Sequence, residues 1–364
     1  MYTKFVRPLL FRLDPEKAHH FAAKLGEFAC TVPGSGYLMR RRYSGAWPVL
    51  DRQLMGIRFP NPVGIAAGFD KNASWPRLIR ALGFGFAEFG SITARKSAGN
   101  PSPRLFRLPE DRALINRMGL NNNGAETICR HISELRRQYV SLFRDFPCGI
   151  NIAKTHDPSI TGDEAVRDYV ASYGYARKVA DYITLNISCP NTAEGITFED
   201  KSALTDLLDG ILSARSDDDP PLLIKFSPDT EFGQLDELTS VCEERNIHGY
   251  VLTNTSSRRD GLHISGITLT KIGPGGLSGS PLFEKSLNRV NHMRKALSGD
   301  KVLVGCGGID SPDKAARMVQ AGADLLQVYT GLIYEGPGLI PGINDMLTNL
   351  ISANNPDTGK RNPK

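Results

Sequence analysis

Several polar residues with chemically useful side chains lie at the ends of short apolar runs of the chain. They are Lys71, Asn151, Asn186, Cys189, Asn191, Lys225, Asn254 and Thr255. The set supplies two cations, amides, a hydroxyl and a thiol but no cluster of carboxylates, which argues against the paired acids of a glycosidase and against a divalent-metal site. It suits a planar, electron-rich ligand that is held by hydrogen bonds and stabilised where negative charge develops.

Cys189 stands within the stretch NISCPNTAEGIT, residues 186–197. A lone cysteine is most often a small, buried apolar residue. Because Asn186 and Asn191 flank Cys189 at the end of an apolar run, and the other runs also end in polar groups, a functional thiol is the favoured interpretation. Cys306 lies among glycines in a similar run and is interpreted as a core residue.

Eight short apolar runs must position these groups. They span residues 62–71, 86–93, 148–154, 182–191, 222–228, 249–256, 301–310 and 324–331, and helical segments separate most of them. Nearly continuous apolar strands that alternate with helices predict the α/β class and a (β/α)8 TIM barrel, whose catalytic residues lie at the carboxyl ends of the strands. A doubly wound open sheet is the alternative, but the chain has no G-x-G-x-x-G fingerprint.

Two glycine-rich segments indicate a phosphate group. GCGGID, residues 305–310, offers Gly307 and Gly308, whose bare backbone lets N–H groups approach an anion, and GPGGLSGSP spans residues 273–281. The loops after the last two strands of a TIM barrel often bind phosphate. Since the other strand ends already form a polar pocket, a phosphorylated cofactor is predicted in preference to a phosphorylated substrate.

The first 45 residues are predicted to form a separate two-helix extension before a barrel at 46–350 and a disordered tail at 351–364. Apolar residues recur at helical spacing, and Asp14-Pro15 is typical of an N-cap followed by a first-turn proline. These residues are Phe5, Leu9, Leu10 and Leu13, and then Phe21, Leu25, Phe28 and Ala29. Such a helix pair either caps the main domain or lies on an anionic membrane surface.

Composition excludes several classes. The chain has 364 residues and a net charge of +5, and its basic residues are scattered apart from Arg40–Arg42, so nucleic acid is not a predicted partner. The six cysteines form no C-x-x-C pair and have no histidine at zinc spacing, so neither disulfides nor a metal site is predicted. No segment reaches the roughly 18 uncharged apolar residues of a membrane span, and charges interrupt any signal-peptide core.

Ordered motifs resemble the dihydroorotate dehydrogenases over about residues 1–345. They are AAGFDK, PRLFRL, LINRMGLNNNG, NISCPNT, TNTS, GGLSG, GCGGID and YTG, while FVRPLLFRLDPEKAH resembles the quinone-using class 2. The resemblance implies an FMN-containing barrel that oxidises dihydroorotate to orotate in pyrimidine (UMP) biosynthesis and passes electrons to a membrane quinone. It also implies a peripheral protein on the cytoplasmic face of a membrane, with the N-terminal helices as quinone entry and membrane contact.

The resemblance also assigns roles to single residues. The flavin would be bound by Ala66, Ala67, Gly68, Ser91, Asn151, Lys225, Thr253, Gly279, Gly307, Gly308, Tyr329 and Thr330, and both flavin and substrate by Lys71 and Asn186. The orotate pocket would contain Asn116, Arg117, Met118, Gly119, Leu120, Asn191, Asn254 and Thr255. His19 and Arg107 match the pair near the quinone, and Cys189 occupies the position of the proton-abstracting base. Asparagine amides match the donors and acceptors of a pyrimidine dione.

Three features depart from the class 2 pattern. Cys189 replaces the usual serine and is typical of the soluble class 1, Leu120 replaces a phenylalanine, and Ala193-Glu194-Gly195-Ile196 replaces Pro/Ala-Gly-Leu-Arg with one residue inserted. These departures leave open an FMN oxidoreductase of the same fold that acts on a different cyclic amide or uses fumarate or NAD. A non-redox barrel that binds a phosphorylated metabolite is a further alternative.

Overall fold

The structure, a computed structural model, describes residues 1–188 and 198–354, so Cys189 and Asn191 lie outside the described residues. The strands in these ranges are β1 Arg52–Leu54, β2 Ile57–Phe59, β3 Val63–Ile65, β4 Phe86–Ile92, β5 Leu105–Leu108, β6 Ala113–Asn116, β7 Cys148–Ile152, β8 Tyr182–Asn186, β9 Leu222–Phe226, β10 Gly249–Leu252, β11 Gly276–Gly279, β12 Val302–Cys306 and β13 Leu325–Val328. Within the described ranges, eight of them close into a barrel in the order β3-β4-β7-β8-β9-β10-β12-β13.

The barrel confirms the predicted TIM fold. Each barrel strand lies within one of the eight predicted apolar runs, and neighbouring strands pair in parallel. All residues of β7, β8, β9 and β12 are buried. Parallel strands that are covered by helices outside and by side chains inside are apolar on both faces, which explains why these runs show no alternation.

Helices surround the barrel. They are α1 Arg7–Leu10, α2 Pro15–Ala29, α3 Ser35–Tyr43, α4 Pro76–Ala81, α5 Ala125–Gln138, α6 Val140–Arg144, α7 Gly162–Ala176, α8 Lys201–Ser213, α9 Phe232–Glu243, α10 Gly266–Ile272, α11 Phe283–Ala296, α12 Pro312–Gln320, α13 Thr330–Glu335 and α14 Leu339–Asn354. A π-helix at Tyr2–Val6 and 3-10 turns at Pro48–Leu50 and Ser280–Leu282 complete the set within the described ranges. Since α14 reaches Asn354, residues 351–354 are helical and do not belong to a disordered tail.

Two small antiparallel sheets lie at opposite ends of the barrel. In the hairpin β1–β2, Phe59 packs on Phe86 at 5.3 Å between ring centroids and on Tyr182 at 6.5 Å, which are the first residues of β4 and β8. This hairpin therefore closes the amino-terminal end. The sheet β11-β6-β5 covers the other end, because Ser256, just after β10, exchanges backbone hydrogen bonds with Leu277 of β11.

The N-terminal extension contains the two predicted helical segments and, in addition, α3. The Asp14 side chain caps α2 by accepting a hydrogen bond from Lys17 N at 3.0 Å, and Pro15 occupies the first turn, as predicted. Most of the apolar residues that define the helical faces point to solvent, among them Phe5, Leu9, Phe21, Leu25 and Phe28. Among the helices that the structure describes, none is long and apolar enough to cross a bilayer.

Candidate active site

A cavity of about 450 Å³ lies at the carboxyl ends of the barrel strands. The ends of parallel strands meet at one face of a barrel, so residues distant in sequence converge there. The predicted site residues that line the cavity are His19, Ala66, Ala67, Gly68, Lys71, Ser91, Asn116, Met118, Leu120, Asn186, Lys225, Thr253, Asn254, Thr255, Gly279, Gly307, Gly308, Tyr329 and Thr330. The structure thus brings together both glycine segments and the polar strand ends.

A chain of hydrogen-bonded amides and hydroxyls forms one wall of this cavity. Ser91 Oγ donates to Asn151 Oδ1, and Asn186 Nδ2 donates to Ser91 Oγ at 3.3 Å. Asn254 Nδ2 in turn donates to Asn186 Oδ1 and to Ser188 Oγ, both at 3.1 Å. These bonds fix which end of each amide faces the cavity, so the wall offers donors and acceptors in a set order.

A buried carboxylate, that of Glu88, accepts hydrogen bonds from the inner end of this series of amides and hydroxyls. Glu88 of β4 is fully buried and accepts hydrogen bonds from Asn151 Nδ2 at 2.9 Å and from Gln327 Nε2 at 2.7 Å. Tyr182 OH at 3.2 Å and Thr184 Oγ1 at 3.1 Å also donate to it. The acid therefore links β4 to β7, β8 and β13, and its loss would leave several buried donors unpaired.

Two lysines place positive charge in the cavity. Lys71 follows β3, and its Nζ donates to Asn121 Oδ1. Lys225 of β9 has only 5% of its surface exposed, and no hydrogen bond or ion pair of its Nζ is present in the part of the chain that the structure describes. A buried ammonium without a partner is costly, so Lys225 favours an anionic or electron-rich ligand.

The glycine segments form the side of the cavity next to α11. Gly308 has a φ of +68°, and a Cβ at this position would lie 2.6 Å from Phe283 N, so only glycine fits this close approach. The backbone N–H groups of Gly307 and Gly308 donate no hydrogen bond within residues 1–188 and 198–354. Ser278 Oγ and Thr330 Oγ1 lie 2.9 Å apart, and both residues also line the cavity. These free N–H groups match the oxygen acceptors of a phosphate.

Asp70 orders the loop that carries Lys71. Its carboxylate accepts hydrogen bonds from Ser74 N at 2.8 Å and from Trp75 N at 2.7 Å. Burial raises the pKa of Asp70 to about 7, although the backbone hydrogen bonds act in the opposite direction. These hydrogen bonds order the loop after β3, which contacts α2 through His19 and Phe69.

His19 of α2 lines the outer part of the cavity. Its Nε2 lies 2.9 Å from Phe69 O, and its ring packs edge-on against Phe69 and Trp75 at centroid distances of 4.7 and 5.1 Å. Burial lowers the pKa of His19 to about 4, so the imidazole is neutral near pH 7. The cavity thus extends from the strand ends to the N-terminal extension.

Four further predicted site residues that the structure describes, Asn151, Arg117, Gly119 and Arg107, are not part of the cavity lining. Asn151 lies behind Ser91, and Arg117 donates to Ile272 O and to Pro103 O at 3.2 Å. Gly119 accepts a hydrogen bond from Ser97 Oγ at 3.2 Å through its backbone oxygen. Arg107 donates to Leu13 O at 2.8 Å and so contacts the link between α1 and α2. Cys189 and Asn191 lie outside the described residues.

Sequence reasoning missed several residues of the site and its support. Asn121, Gln327 and Asp70 line the cavity, and Glu88 lies behind it. Glu88 and Gln327 carried a usable signal, because each interrupts an apolar strand with a polar side chain, in FAEFGSIT and in DLLQVYTG. Asn121 directly follows the predicted Leu120, and only its contact with Lys71 distinguishes it from its neighbours.

Known proteins resemble this chain over most of its length. Residues 49–351 match the family model described as Dihydroorotate dehydrogenase. A protein of Halorhodospira halophila named Dihydroorotate dehydrogenase (quinone) is 41% identical over 349 residues, which cover 93% of this chain and 96% of that protein. A protein of the same name from Erythrobacter litoralis is 41% identical over 339 residues, which cover 93% of this chain and 92% of that protein.

Solved structures agree with this relationship. The crystal structure of ligand-free DHODH from Eimeria tenella has a TM-score of 0.83 and 32% identity, and the match covers 94% of this chain and 96% of that one. The DHODH of the same organism in complex with ferulenol has a TM-score of 0.82 and 30% identity, and the match covers 95% of this chain and 96% of that one. The similarity therefore includes the N-terminal extension as well as the barrel.

Proposed function

Since the chain belongs to the dihydroorotate dehydrogenase family, we propose that this oxidoreductase converts dihydroorotate to orotate in pyrimidine biosynthesis, with FMN as cofactor and a membrane quinone as electron acceptor. The observation that carries the proposal is the cavity at the barrel's carboxyl end. It joins ordered asparagine amides, two lysines and a glycine-rich wall with free N–H groups. Neither a carboxylate pair nor a metal is needed for this chemistry.

The donor set of the cavity fits FMN. Gly307 and Gly308 would bind the phosphate through their free N–H groups. Gln327 Oε1 is buried without a hydrogen-bond partner in the described part of the chain and lines the cavity, so it can accept from a ring N–H. Lys225 would stabilise negative charge on the ring system. When bound, FMN supplies the hydride acceptor.

The substrate would lie between Lys71 and the cavity wall that is formed by the asparagine amides. Lys71 would balance the carboxylate of dihydroorotate, while Asn116, Asn186 and Asn254 would bind the ring amides. The oxidation removes a hydride from one ring carbon and a proton from its neighbour, so a base is needed. Cys189 directly follows Ser188, which Asn254 contacts, and we propose its thiolate as that base.

The N-terminal extension would deliver the quinone. Its exposed side chains form an apolar surface, with Phe5 71% and Phe28 66% exposed, and basic residues flank it. A surface of this kind binds in the membrane interface without spanning it. His19 and Arg107 would then face a quinone that enters along α1 and α2. We propose a peripheral location on the cytoplasmic face.

Anaerobic mixing with dihydroorotate tests the proposed reaction. On mixing, the bound flavin of the FMN-loaded protein should be reduced and lose its colour. One orotate should form for each flavin that is reduced. Ubiquinone analogues should then reoxidise the flavin faster than fumarate or NAD does. A flavin that stays oxidised would refute the substrate, a colourless protein that takes up no FMN would refute the cofactor, and faster turnover with fumarate would refute the quinone.

A further inference from the structure

A second cavity, of about 630 Å³, lies between the N-terminal extension and the side of the barrel. Its walls come from α3, the segment after α3, the hairpin β1–β2, α4 and the start of α6. Among the described residues it shares none with the active-site cavity. Its lining includes Arg40, Arg58, Arg77 and Arg80, whereas Asp51 is its acidic residue.

Two of these arginines are neutralised by carboxylates. Arg58 pairs with Asp51 at 2.5 Å and with Asp145 at 3.2 Å, and Arg77 pairs with Glu27 at 2.5 Å. Their charges are therefore balanced within the protein. Three carboxylates thus face two arginines, and the remaining positive charge of the lining is that of Arg40 and Arg80.

Arg40 and Arg80 form no ion pair within residues 1–188 and 198–354. Arg80 is half-buried, donates a single hydrogen bond to Phe84 O at 3.3 Å, and lies 5.7 Å from the ring centroid of Phe146. Burial is the main cause that lowers the pKa of Arg80; the charge of Asp145 opposes it and that of Arg40 adds to it. A guanidinium carries five N–H donors, so most of those on Arg80 remain available.

We infer that Arg40 and Arg80 form a binding site for a phosphate-bearing anion, distinct from the active site. Guanidinium groups match phosphate oxygens in bidentate geometry, and an anion between them would offset the repulsion of two like charges. A cavity of this volume holds more than a bare phosphate. Trp47, Tyr139 and Leu142 also line it and can pack against an attached organic group.

The anion could be a lipid headgroup or a soluble phosphate ester. Tyr37 and Leu38 of α3 are strongly exposed and lie on the same helix as Arg40. If this helix contacts a membrane, a headgroup phosphate would be close to Arg40. The two sources share the same recognition chemistry, so they must be separated by experiment.

Calorimetric titration of the full-length, FMN-loaded protein with inorganic phosphate tests the site. Arg40→Gln and Arg80→Gln should each weaken phosphate binding about tenfold or more, because each removes charge-assisted hydrogen bonds. Arg41→Gln is the matched control, since Arg41 lies on the same helix, carries the same charge and does not line the cavity. Arg40 is exposed, so its substitution keeps the test valid even if Arg80→Gln fails to fold.

Flotation with vesicles separates the two sources. Weaker binding of Arg40→Gln than of Arg41→Gln to phosphatidylglycerol vesicles, with equal binding to phosphatidylcholine, would identify a lipid headgroup. Equal vesicle binding together with the phosphate defect would identify a soluble ester. If Arg40→Gln and Arg41→Gln bind phosphate equally and bind both kinds of vesicle equally, the proposed site is refuted. Dihydroorotate-driven flavin reduction should stay unchanged in both variants, which separates this outcome from a failure of the proposed reaction.

Discussion

The barrel and the N-terminal extension use similar apolar residues in opposite ways. In the barrel, Phe86 and Phe89 of β4 are completely buried, whereas Phe5 and Phe28 of the extension are 71% and 66% exposed. Burial of a large apolar side chain is worth roughly 1.5–3 kcal/mol, so Phe86 and Phe89 stabilise the barrel far more than the exposed Phe5 and Phe28 stabilise the extension. Several large apolar side chains exposed on one segment are typical of a site for an external partner.

Polar contacts attach the extension to the barrel. Glu16 pairs with Arg104 at 2.7 Å, and Glu27 pairs with Arg77 at 2.5 Å and accepts from Leu78 N at 2.9 Å. Such contacts orient the helices but add little to the barrel's own core. The proposed chemistry and the proposed membrane contact should therefore be separable by mutation.

The largest effect is expected from Cys189→Ala. Removal of the proposed base should abolish dihydroorotate-driven flavin reduction while FMN content and vesicle binding stay unchanged, because the barrel and the extension are otherwise intact. Stopped-flow absorbance under anaerobic conditions measures this. Cys189→Ser is the matched variant and should keep partial activity with a pH profile moved upward, since an alcohol is a weaker acid than a thiol. Unchanged flavin reduction in Cys189→Ala would refute the assignment.

Deletion of residues 1–45 should produce the opposite pattern. Quinone turnover and vesicle binding should be lost because the exposed apolar surface is removed, whereas flavin reduction by dihydroorotate should persist. Steady-state assays with a ubiquinone analogue and single-turnover assays on the same preparation make the comparison. Quinone turnover that survives the deletion would show that the extension has another role.

Glu88→Gln should lower the stability of the barrel without changing vesicle binding by the extension. The substitution keeps the shape but replaces an acceptor oxygen with an NH2 group facing the donors Tyr182 and Gln327. We expect the free energy of unfolding to fall by about 1–3 kcal/mol, because buried donors lose their acceptor. Denaturant titration of the FMN-free protein measures the change, and vesicle binding serves as the internal control. A variant as stable as the parent would show that the network does not depend on the carboxylate.

Phe28→Gln should weaken vesicle binding about tenfold with little change in stability, since this exposed side chain belongs to the proposed membrane contact and not to the core. Ile267→Gln is the matched control, because Ile267 is 73% exposed but belongs to α10 on the barrel. Flotation assays compare the two. Equal loss of vesicle binding in both variants would contradict the distinction between the two regions.

The smallest expected effect is a change in the pH dependence of stability on substitution of His19, which lies between the extension and the barrel. Burial lowers its pKa from 6.5 to about 4, so the folded protein holds the ring neutral while the unfolded chain takes up a proton below pH 6.5. Its contribution to stability is thus complete above pH 6.5 and is lost as the pH falls towards 4. His19→Gln should show a shallower decrease in unfolding free energy over this window. Identical pH dependence in both proteins would argue against a desolvated imidazole.

Much of the site could be predicted because parallel strands leave a clear pattern. The runs that contain Asn186, Lys225 and Thr253 begin with apolar residues and become polar towards their carboxyl ends, and these ends mark the catalytic face. The partners of those residues could not be predicted in the same way. Lys71 and Asn121, for example, are 50 residues apart and meet only after the barrel has closed.

The sequence by itself determined the eight strands, the identity of the groups at their ends and the helical periodicity of the extension. Tertiary structure decided which distant groups meet, as for Glu88 and Gln327, 239 residues apart. It also decided where the apolar faces of the extension point. Periodicity states which residues share a face of a helix, but only packing decides whether that face meets protein or remains exposed.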